Sequence, residues 1–263
     1  MPSHKILFLD IDGTILKPDD SIEQSTKEAV LQVQKNGLVV FLSTGRPLHE
    51  IKEIGEELNI DSFIGYNGAY AVHQGSDIML EKMAANTIQS FLDIAKEKGH
   101  EAIMYTNEKN VLTSFDSPVL KEFIQHFHLK QNVLYDHEFL NDILGVSLIN
   151  LGHNDPHLYE EVGNVHLAPV NVEGFKDHAY DVIRDQVNKG IAVQKVLETL
   201  NISKEEAIAF GDGMNDKEML STVGDGFAMG NAHPELFPYA KHKTTEVTNS
   251  GIYNGLKQLG LIQ

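Results

Sequence analysis

Asp10 and Asp12 stand two residues apart near the start of the chain, and Gly13 and Thr14 follow them. The apolar run before them, Ile6–Leu9, predicts a strand buried inside a parallel sheet. The carboxyl ends of such strands are where open α/β sheets bind their ligands. An acidic pair placed there costs free energy unless it binds a cation or takes part in chemistry. One carboxylate could attack an electrophile while the other moves a proton.

Polar side chains occupy comparable positions later in the chain. Thr44 and Gly45 follow a second predicted strand, Lys189 opens a predicted helix, and Asp212 and Asp216 follow a third predicted strand. Phosphoryl transfer needs a nucleophile, a metal ion that neutralises charge, donors for the phosphate oxygens and a proton shuttle. Together with the acidic pair, these segments contain residue types for each of those tasks.

A magnesium site is the first of these tasks. Mg²⁺ prefers a few hard oxygen ligands and keeps several waters. Asp10 and Asp212, with a backbone carbonyl near Asp12, would supply those oxygens, and Asp216 could bind directly or through water. Lys189 would offset the repulsion between an anionic substrate and an anionic nucleophile.

The chemical steps fall to the acidic pair. Asp10 would attack phosphorus and form an aspartyl-phosphate, while Asp12 would protonate the leaving oxygen and then activate water. Thr44 and the amide of Gly45 would donate hydrogen bonds to the phosphate oxygens, as loop-to-helix turns commonly do.

The order of these segments resembles that of the haloacid dehalogenase superfamily. All four of its signature segments are present: Asp10–Thr14, Ser43–Arg46, Lys189-Gly190 and Gly211–Asp216. The Ser-Thr-Gly-Arg and Gly-Asp-Gly-Met-Asn-Asp forms, together with Ala228–Ala232, resemble the Cof-type sugar-phosphatase branch. In that branch an α+β cap lies between the second and third segments, where this chain has a large insertion.

The resemblance implies a Mg²⁺-dependent phosphatase of small phosphorylated metabolites, with sugar phosphates as the leading substrate class. Asp10 would be the nucleophile and a metal ligand, and Asp12 would be the acid/base and give its carbonyl to the metal. Thr44 and Lys189 would hold the transferring phosphoryl group, and Asp212 would bind Mg²⁺ with Asp216 in support. Asn215 would contact the phosphate or the surroundings of the metal. Arg46 and Asn67 would lie on the substrate side.

The second residue of the acidic pair separates activities within that superfamily. ATPase relatives, which must keep the aspartyl-phosphate, carry Thr two residues after the nucleophile, whereas this chain carries Asp12. An acidic residue there favours a phosphatase or a phosphomutase. A phosphomutase of sugar phosphates and a non-catalytic sugar-phosphate-binding regulatory protein are the alternative hypotheses. The first predicts isomerised substrate with little free phosphate, and the second predicts binding without phosphate release.

The elements that must position these side chains alternate between strand and helix at both ends of the chain, which predicts a Rossmann-like α/β core with a parallel sheet. The predicted core strands are Ile6–Leu9, Leu38–Leu42, Ala207–Phe210 and Phe227–Met229. A capping box at Ser25 and Glu28 predicts the start of a helix. Gln74 and Gly75 predict the turn of a hairpin within residues 70–80.

Between residues 82 and 181 the pattern changes. A helical pattern over residues 87–98 is followed by strand-like segments at Ala102–Tyr105, Val146–Leu151 and Val165–Leu167. This mixture predicts an inserted α+β unit.

The predicted organisation is therefore a discontinuous catalytic core of residues 1–81 and 182–263, with a cap domain of residues 82–181. Such a cap would exclude water and position the substrate. The helical spacing of Phe123 and Phe127 predicts a place in the cap core rather than a surface on which bases stack.

Composition excludes several other classes of protein. The 263 residues carry 38 acidic and 21 basic side chains, a formal net charge of -17, so a nucleic-acid surface is not expected. The absence of cysteine excludes a disulfide framework and fits a cytoplasmic protein. No apolar run approaches the ~20 residues that span a membrane, and the first run ends at Asp10, so a signal peptide is not expected either. The 13 histidines lack the spacing of zinc ligands.

Overall fold

The computed structural model describes residues 4–170 and 172–263, which form two compact units. The core unit comprises the described residues up to Arg46, Ile51–Leu80 and Asn188–Gln263. The inserted unit comprises Pro47–Glu50 and Glu81–Val187 within the same described ranges.

Fourteen strands and eight α-helices lie within the described residues. In chain order the strands are β1 (Ile6–Leu9), β2 (Val39–Ser43), β3 (Ser62–Gly65), β4 (Tyr70–His73), β5 (Ser76–Leu80), β6 (Glu101–Tyr105), β7 (Asn110–Leu112), β8 (Asn132–Leu134), β9 (Gly145–Ile149), β10 (Val165–Pro169), β11 (Ala179–Arg184), β12 (Ala207–Gly211), β13 (Asp225–Ala228) and β14 (His242–Lys243). The helices are α1 (Gln24–Lys35), α2 (Lys52–Leu58), α3 (Ala85–Lys98), α4 (Pro118–His126), α5 (Pro156–Glu160), α6 (Lys189–Leu200), α7 (Lys217–Thr222) and α8 (Gly251–Gln258).

β1 lies at the centre of the core sheet, whose order is β14-β13-β12-β1-β2-β3-β4-β5. It pairs in parallel with β12 on one side and β2 on the other. Further parallel strands continue on both sides, and the β4–β5 hairpin adds an antiparallel edge. The predicted parallel-sheet core and its hairpin are confirmed. Because β1, β2 and β12 run in the same direction, the polar segments that follow them lie at one edge of the sheet.

Apolar side chains fill both faces of the central strands. All four residues of β1 are fully buried, which explains why polar and apolar residues do not alternate there. Phe210 of β12 stacks on Phe227 of β13 with ring centroids 4.6 Å apart. A Cβ atom at Gly255 of α8 would lie 2.5 Å from the Phe210 ring, so the missing side chain lets this helix pack directly against the aromatic pair.

The start of α1 differs from the prediction. The helix begins at Gln24, with Glu23 as the N-cap residue, so Ser25 and Glu28 lie inside it and form no capping box. Ser25 Oγ instead donates to Glu23 Oε2 at 3.3 Å, and the same carboxylate oxygen accepts from the Ser250 amide at 2.9 Å. A contact with a residue far along the chain has replaced the local cap.

The inserted unit contains a six-stranded sheet in the order β10-β11-β9-β6-β7-β8, antiparallel except between β7 and β8. Alternate residues of β6 enter two separate apolar clusters, one on each face of the sheet. In one cluster Phe91 of α3 meets Tyr159 of α5 edge to face. In the other, Phe123 and Phe127 pack with ring centroids 4.4 Å apart, as predicted for the core of this unit. None of the helices in the two described ranges is long and apolar enough to cross a membrane.

The boundaries of the inserted unit differ from the predicted residues 82–181. β11 continues to Arg184 and pairs with both β9 and β10, so the unit extends to Val187. Its main segment starts at Glu81. Placing a boundary at residue 181 would cut a paired strand, which is why the sheet rather than the local composition determines where the unit ends.

The short segment Pro47–Glu50 also belongs to the inserted unit, although it was predicted to lie in the core. Glu50 Oε1 accepts from Asn110 Nδ2 at 2.7 Å and from the Lys130 amide at 2.8 Å. His49 Nε2 lies 2.9 Å from Asn110 Oδ1. These long-range hydrogen bonds attach the segment, and its own sequence does not indicate them.

Asp225 at the start of β13 accepts hydrogen bonds from three side chains. His4 Nε2 lies at 2.8 Å, His242 Nε2 at 2.7 Å and Lys241 Nζ at 2.9 Å. Burial by itself would raise the pKa of Asp225, but these hydrogen bonds outweigh it and hold the pKa well below its usual range.

Asp225→Asn should lower the free energy of unfolding by about 2 kcal/mol near neutral pH, because the variant loses charged hydrogen bonds. A carboxylate with a depressed pKa in the folded state stabilises the fold above its unfolded-state pKa and loses that contribution as the pH falls. Urea denaturation should therefore show the full difference near neutral pH and a shrinking difference below about pH 4. The exposed Asp177→Asn is the control, and an Asp225→Asn difference that stays constant down to about pH 2 would contradict this assignment.

Candidate active site

A buried lysine lies at the carboxyl edge of the core sheet. Lys189, the first residue of α6, is fully buried, and its Nζ donates to Asp10 Oδ1 and Asp216 Oδ1, both at 2.6 Å. The Asn188 side chain caps α6 by accepting from the Ile191 amide at 2.9 Å. The start of α6 predicted from the sequence is confirmed. The cap fixes the first turn of the helix and with it the backbone position of Lys189.

Three carboxylates surround this single ammonium group. Asp10, Asp212 and Asp216 each place an oxygen within 4.8 Å of the others. Burial raises the pKa of Asp10 well above its usual value, the charge of Asp216 adds to this effect, and Lys189 offsets part of it. Burial and the same Asp216 charge raise the pKa of Asp212 to about 6. The site therefore holds more negative charge than its lysine neutralises.

The neighbouring carboxylates favour the charged form of Lys189. Burial alone would lower the pKa of Lys189, but the neighbouring Asp10 and Asp216 outweigh burial and raise it above its usual value. Lys189 therefore stays protonated and can only neutralise charge, because an ammonium group has no lone pair to accept a proton.

A divalent cation fits this donor set. The converging atoms are all carboxylate oxygens, the hard ligands that Mg²⁺ prefers, and a cation would compensate the excess negative charge. Gly13 has a φ of +79°, and a Cβ atom there would lie 2.2 Å from Asp212 Oδ2, so only glycine lets this carboxylate take its place. Thr14 Oγ1 donates to the other oxygen of Asp212 at 3.3 Å. Asp10, Asp212 and Asp216 are thus the residues that could hold the ion.

Asp216 is the most tightly held of the three carboxylates. It is fully buried, and its Oδ2 accepts from the backbone amides of Asp212 and Gly213, both at 3.1 Å, while its Oδ1 accepts from Lys189. Both oxygens are already engaged. Asp216 therefore shapes the loop after β12 in addition to contributing charge.

The residues predicted to bind phosphate form a second connected group. Thr44 is buried, and its carbonyl accepts from the Asn67 amide at 3.1 Å. Asn67 Oδ1 accepts from Asn215 Nδ2 at 3.0 Å, and a Cβ atom at Gly45 would lie 3.0 Å from that same oxygen. Asn67 has a left-handed backbone with a φ of 54°, a conformation that asparagine tolerates better than most residues. The structure thus brings Thr44, Gly45, Asn67 and Asn215 together.

Asp12 and Arg46 form a pair that the sequence did not predict. Arg46 Nε donates to Asp12 Oδ2 at 2.9 Å, and Arg46 Nη2 donates to Asp12 Oδ1. The Asp12 side chain is 56% exposed, in contrast to the buried Asp10. This two-pronged pair fixes the orientation of the Asp12 carboxylate.

Asn231 is a residue at this site to which the sequence assigned no role. Its Nδ2 donates to the carbonyl of Gly13 at 2.8 Å and lies 3.4 Å from Asp212 Oδ2, while its Oδ1 accepts from the Val247 amide at 2.8 Å. It connects the turns after β1, β12 and β13. The sequence offered one signal for this residue: Asn231 follows the fourth predicted core strand, and residues that follow parallel strands lie at the same edge of the sheet.

Residues 7–256 match the model of the haloacid dehalogenase-like hydrolase family. The chain belongs to this family. YkrA of Bacillus subtilis (strain 168) is 33% identical over 259 residues, covering 98% of this chain and 99% of YkrA. The 5-amino-6-(5-phospho-D-ribitylamino)uracil phosphatase YitU of the same strain is 25% identical over 272 residues, covering 96% of each chain.

Solved structures show the same fold. A protein from Geobacillus kaustophilus HTA426 is 31% identical, with a TM-score of 0.90 and coverage of 99% of this chain and all of that one. A sugar phosphatase of haloacid dehalogenase subclass IIB has a TM-score of 0.82 at 24% identity, covering 98% of this chain and all of the other. The family predicted from the four signature segments is confirmed, and the chain is a phosphatase of the haloacid dehalogenase type.

Lys189→Met should lower the free energy of unfolding by about 3–5 kcal/mol near neutral pH, because it leaves three neighbouring carboxylates without a buried cation. Mg²⁺ should recover part of this loss, since it binds the folded state and replaces positive charge. Urea denaturation with and without Mg²⁺ measures both effects. The exposed Lys195→Met on the same helix is the matched control and should change stability by less than about 0.5 kcal/mol. Equal losses in the two variants would contradict the assigned role of Lys189.

Proposed function

We propose that this phosphatase is Mg²⁺-dependent and hydrolyses small phosphorylated metabolites, with sugar phosphates as the leading class, through an aspartyl-phosphate on Asp10. The observation that carries the proposal is the buried Asp10, whose carboxylate lies 2.6 Å from Lys189 and shares its surroundings with Asp212 and Asp216. A carboxylate held where negative charge is in excess is poised to meet a cation and an electrophile rather than to stabilise the fold.

The metal site would consist of Asp10, Asp212 and the carbonyl of Asp12, with Asp216 in support. Bound Mg²⁺ would neutralise charge on the phosphoryl oxygens and on the acidic residues. Lys189 would share that task through its contact with the Asp10 carboxylate. Its buried position means that water does not weaken its interaction with the nucleophile.

Thr44 and Gly45 would hold the phosphoryl oxygens. Thr44 Oγ1 accepts from the Arg46 amide at 3.1 Å, and its own hydrogen remains to be donated. Within the described residues no side chain or backbone acceptor takes the Gly45 amide hydrogen. Two donors at a loop next to the nucleophile suit an anionic group. Asn67 and Asn215, which are tied to this loop, would contribute on the substrate side.

The reaction would proceed in two displacements at phosphorus. An Asp10 oxygen attacks, the bond from phosphorus to the ester oxygen breaks, and a proton from Asp12 goes to the departing oxygen. Water then attacks the phosphoryl group, its proton returns to Asp12, and phosphate leaves as the Asp10 carboxylate is restored. Because Asp12 donates a proton in the first displacement, its pair with Arg46 must open when substrate binds, and the freed carboxylate must first take up that proton from water.

The proposed substrate class is supported by charge and by named relatives. A net charge of -17 disfavours large polyanions such as nucleic acids. YitU is named a phosphatase of a phosphorylated ribitylamino-uracil, and the HMP-PP phosphatase of Escherichia coli (strain 55989 / EAEC) is 26% identical over 240 residues, covering 88% of this chain. A small organic phosphate fits both observations.

Phosphate release from sugar phosphates, nucleotides and an aryl phosphate, with Mg²⁺ or with EDTA, tests this proposal. Asp10→Asn should lower kcat by at least about a thousandfold because it removes the nucleophile. Asp12→Asn should lower it about 10²–10⁴-fold because it removes the proton shuttle. Asp19→Asn, an equal change of charge at an exposed position of the core unit, should retain activity.

Release that requires Mg²⁺ and disappears in Asp10→Asn would support the proposal and rank the substrates. Isomerised sugar phosphate with little free phosphate would replace it with a phosphomutase. Binding of sugar phosphate without turnover of any compound would replace it with a binding protein.

A further inference from the structure

Asn231 reaches the candidate active site from the turn after β13, and the proposed mechanism gives it no task. Its Nδ2 donates to the carbonyl of Gly13 at 2.8 Å and lies 3.4 Å from Asp212 Oδ2. Both contacts fall on segments that carry proposed metal ligands, because the carbonyl of Asp12 directly precedes Gly13 and the Asp212 carboxylate is a ligand itself. One side chain therefore touches the supports of two of the three main ligands.

The orientation of the Asn231 amide is fixed at both of its ends. Oδ1 accepts from the Val247 backbone amide at 2.8 Å, and Nδ2 donates to the Gly13 carbonyl. The Val247 amide can only donate and the Gly13 carbonyl can only accept, so the side chain fits in one direction. The NH₂ group of Asn231 must therefore face the site.

The backbone that carries Asn231 packs closely against the segment before Val247. The amide of Gly230 donates to the Thr245 carbonyl at 3.0 Å. A Cβ atom at Gly230 would lie 2.6 Å from the Glu246 backbone nitrogen, so a side chain there would push the two segments apart. Asn231 thus extends from a turn that is held in place by its own neighbours.

The contact with Gly13 also restrains the carbonyl of Asp12. The Gly13 amide donates to the Leu16 carbonyl at 3.1 Å, while the Gly13 carbonyl accepts from Asn231. Because the Gly13 amide and the Asp12 carbonyl belong to one planar peptide unit, holding that amide sets the direction of the carbonyl. Gly13 is therefore held on both sides, and Asn231 supplies one of the two restraints.

The carboxylate of Asp212 is restrained in a similar way. Thr14 Oγ1 donates to its Oδ1 at 3.3 Å, and Asn231 Nδ2 lies near its Oδ2. The backbone of Gly13 lies against the same Oδ2, where a Cβ atom would come within 2.2 Å. Each oxygen has one donor beside it, and a carboxylate oxygen with one hydrogen bond still has a lone pair for a cation.

Restrained ligands affect Mg²⁺ and Ca²⁺ differently. Mg²⁺ requires near-octahedral geometry with oxygens at about 2.0–2.1 Å, whereas Ca²⁺ accepts flexible arrangements of oxygens at about 2.3–2.6 Å. Ligands that can shift therefore cost Mg²⁺ more binding free energy than Ca²⁺. Removing a group that orients a metal ligand typically lowers metal affinity about 10–100-fold.

We propose that Asn231 is a positioning residue that holds the Asp12 carbonyl and the Asp212 carboxylate in the geometry that Mg²⁺ requires, and that it thereby favours Mg²⁺ over Ca²⁺. This inference rests on the proposed function, because it concerns the metal ion of that site. Asn231 acts through Gly13 and Asp212, so it determines which ion is preferred without taking part in the chemical steps.

Calorimetric titration of Mg²⁺ and of Ca²⁺ into the protein tests this inference without turnover. The selectivity is the Kd for Ca²⁺ divided by the Kd for Mg²⁺. Asn231→Ala should weaken Mg²⁺ binding about 10–100-fold. Ca²⁺ binding should weaken by less than about threefold, so the selectivity should fall at least about threefold. A variant that only loosened the fold or changed the charge would weaken the binding of both ions alike.

Asn231→Asp separates the two ends of the side chain. Its carboxylate still accepts from the Val247 amide but has no hydrogen to donate to Gly13. The added charge acts alike on two divalent ions, so the selectivity should fall as in Asn231→Ala. Because Asn231 is exposed, neither variant opens a cavity in the core, and thermal unfolding confirms that both are folded. Asn249→Ala, at an exposed position of the same unit, is the matched control and should leave the selectivity within about twofold.

The wild-type titrations distinguish failure of this inference from failure of the proposed function. If the wild type binds Mg²⁺ and Asn231→Ala keeps its selectivity, the inference is overturned while the proposed function stands. Equal weakening of both ions in Asn231→Ala would also overturn it, because Asn231 would then support the turn without selecting the ion. If the wild type binds no Mg²⁺, the proposed metal dependence fails and this inference fails with it.

Discussion

The candidate active site depends on one imbalance of charge: three carboxylates surround a single buried ammonium group. Lys189 contacts Asp10 and Asp216 at 2.6 Å, and Asp212 adds the third negative charge. The lysine is fully buried and leaves negative charge uncompensated, so burial together with the neighbouring carboxylates raises the pKa of Asp10 and Asp212. Replacing buried charges of this kind with apolar side chains is often neutral or stabilising, so stability alone does not explain this cluster. The remaining charge is what makes the site fit a divalent cation and a phosphoryl group.

The fold brings these residues together by placing segments from distant parts of the chain on adjacent parallel strands. β1 lies between β2 and β12, so residues near positions 10, 44 and 212 meet at one edge although about two hundred residues separate the first from the last. Close backbone approach completes the arrangement. Gly13, with a φ of +79°, leaves room for the Asp212 carboxylate, and any side chain there would displace it.

The sequence predicted the core fold and the residues on its loops because both depend on local patterns. Buried apolar runs define the strands, and polar residues directly after them mark the edge where ligands bind. The same patterns could not predict contacts between distant side chains. The pairing of Arg46 with Asp12 and the position of Asn231 depend on how the turns pack against each other. The predicted cap at Ser25 was wrong because Glu23 binds the distant Ser250 amide, and the end of the inserted unit was misplaced because the pairing of β11 decides it.

The most direct test of this account is calorimetric titration of Mg²⁺ into the protein across pH. Metal ligands must be deprotonated, so binding to carboxylates with raised pKa values releases protons and weakens as the pH falls. Because the pKa of Asp212 is raised to about 6, affinity for Mg²⁺ should drop at least about tenfold between neutral pH and about pH 5, and proton release should accompany binding in that range. Asp212→Asn should bind weakly at every pH. Mg²⁺ affinity that is absent at neutral pH, or that is independent of pH and unaffected by Asp212→Asn, would contradict the central role of the charge imbalance.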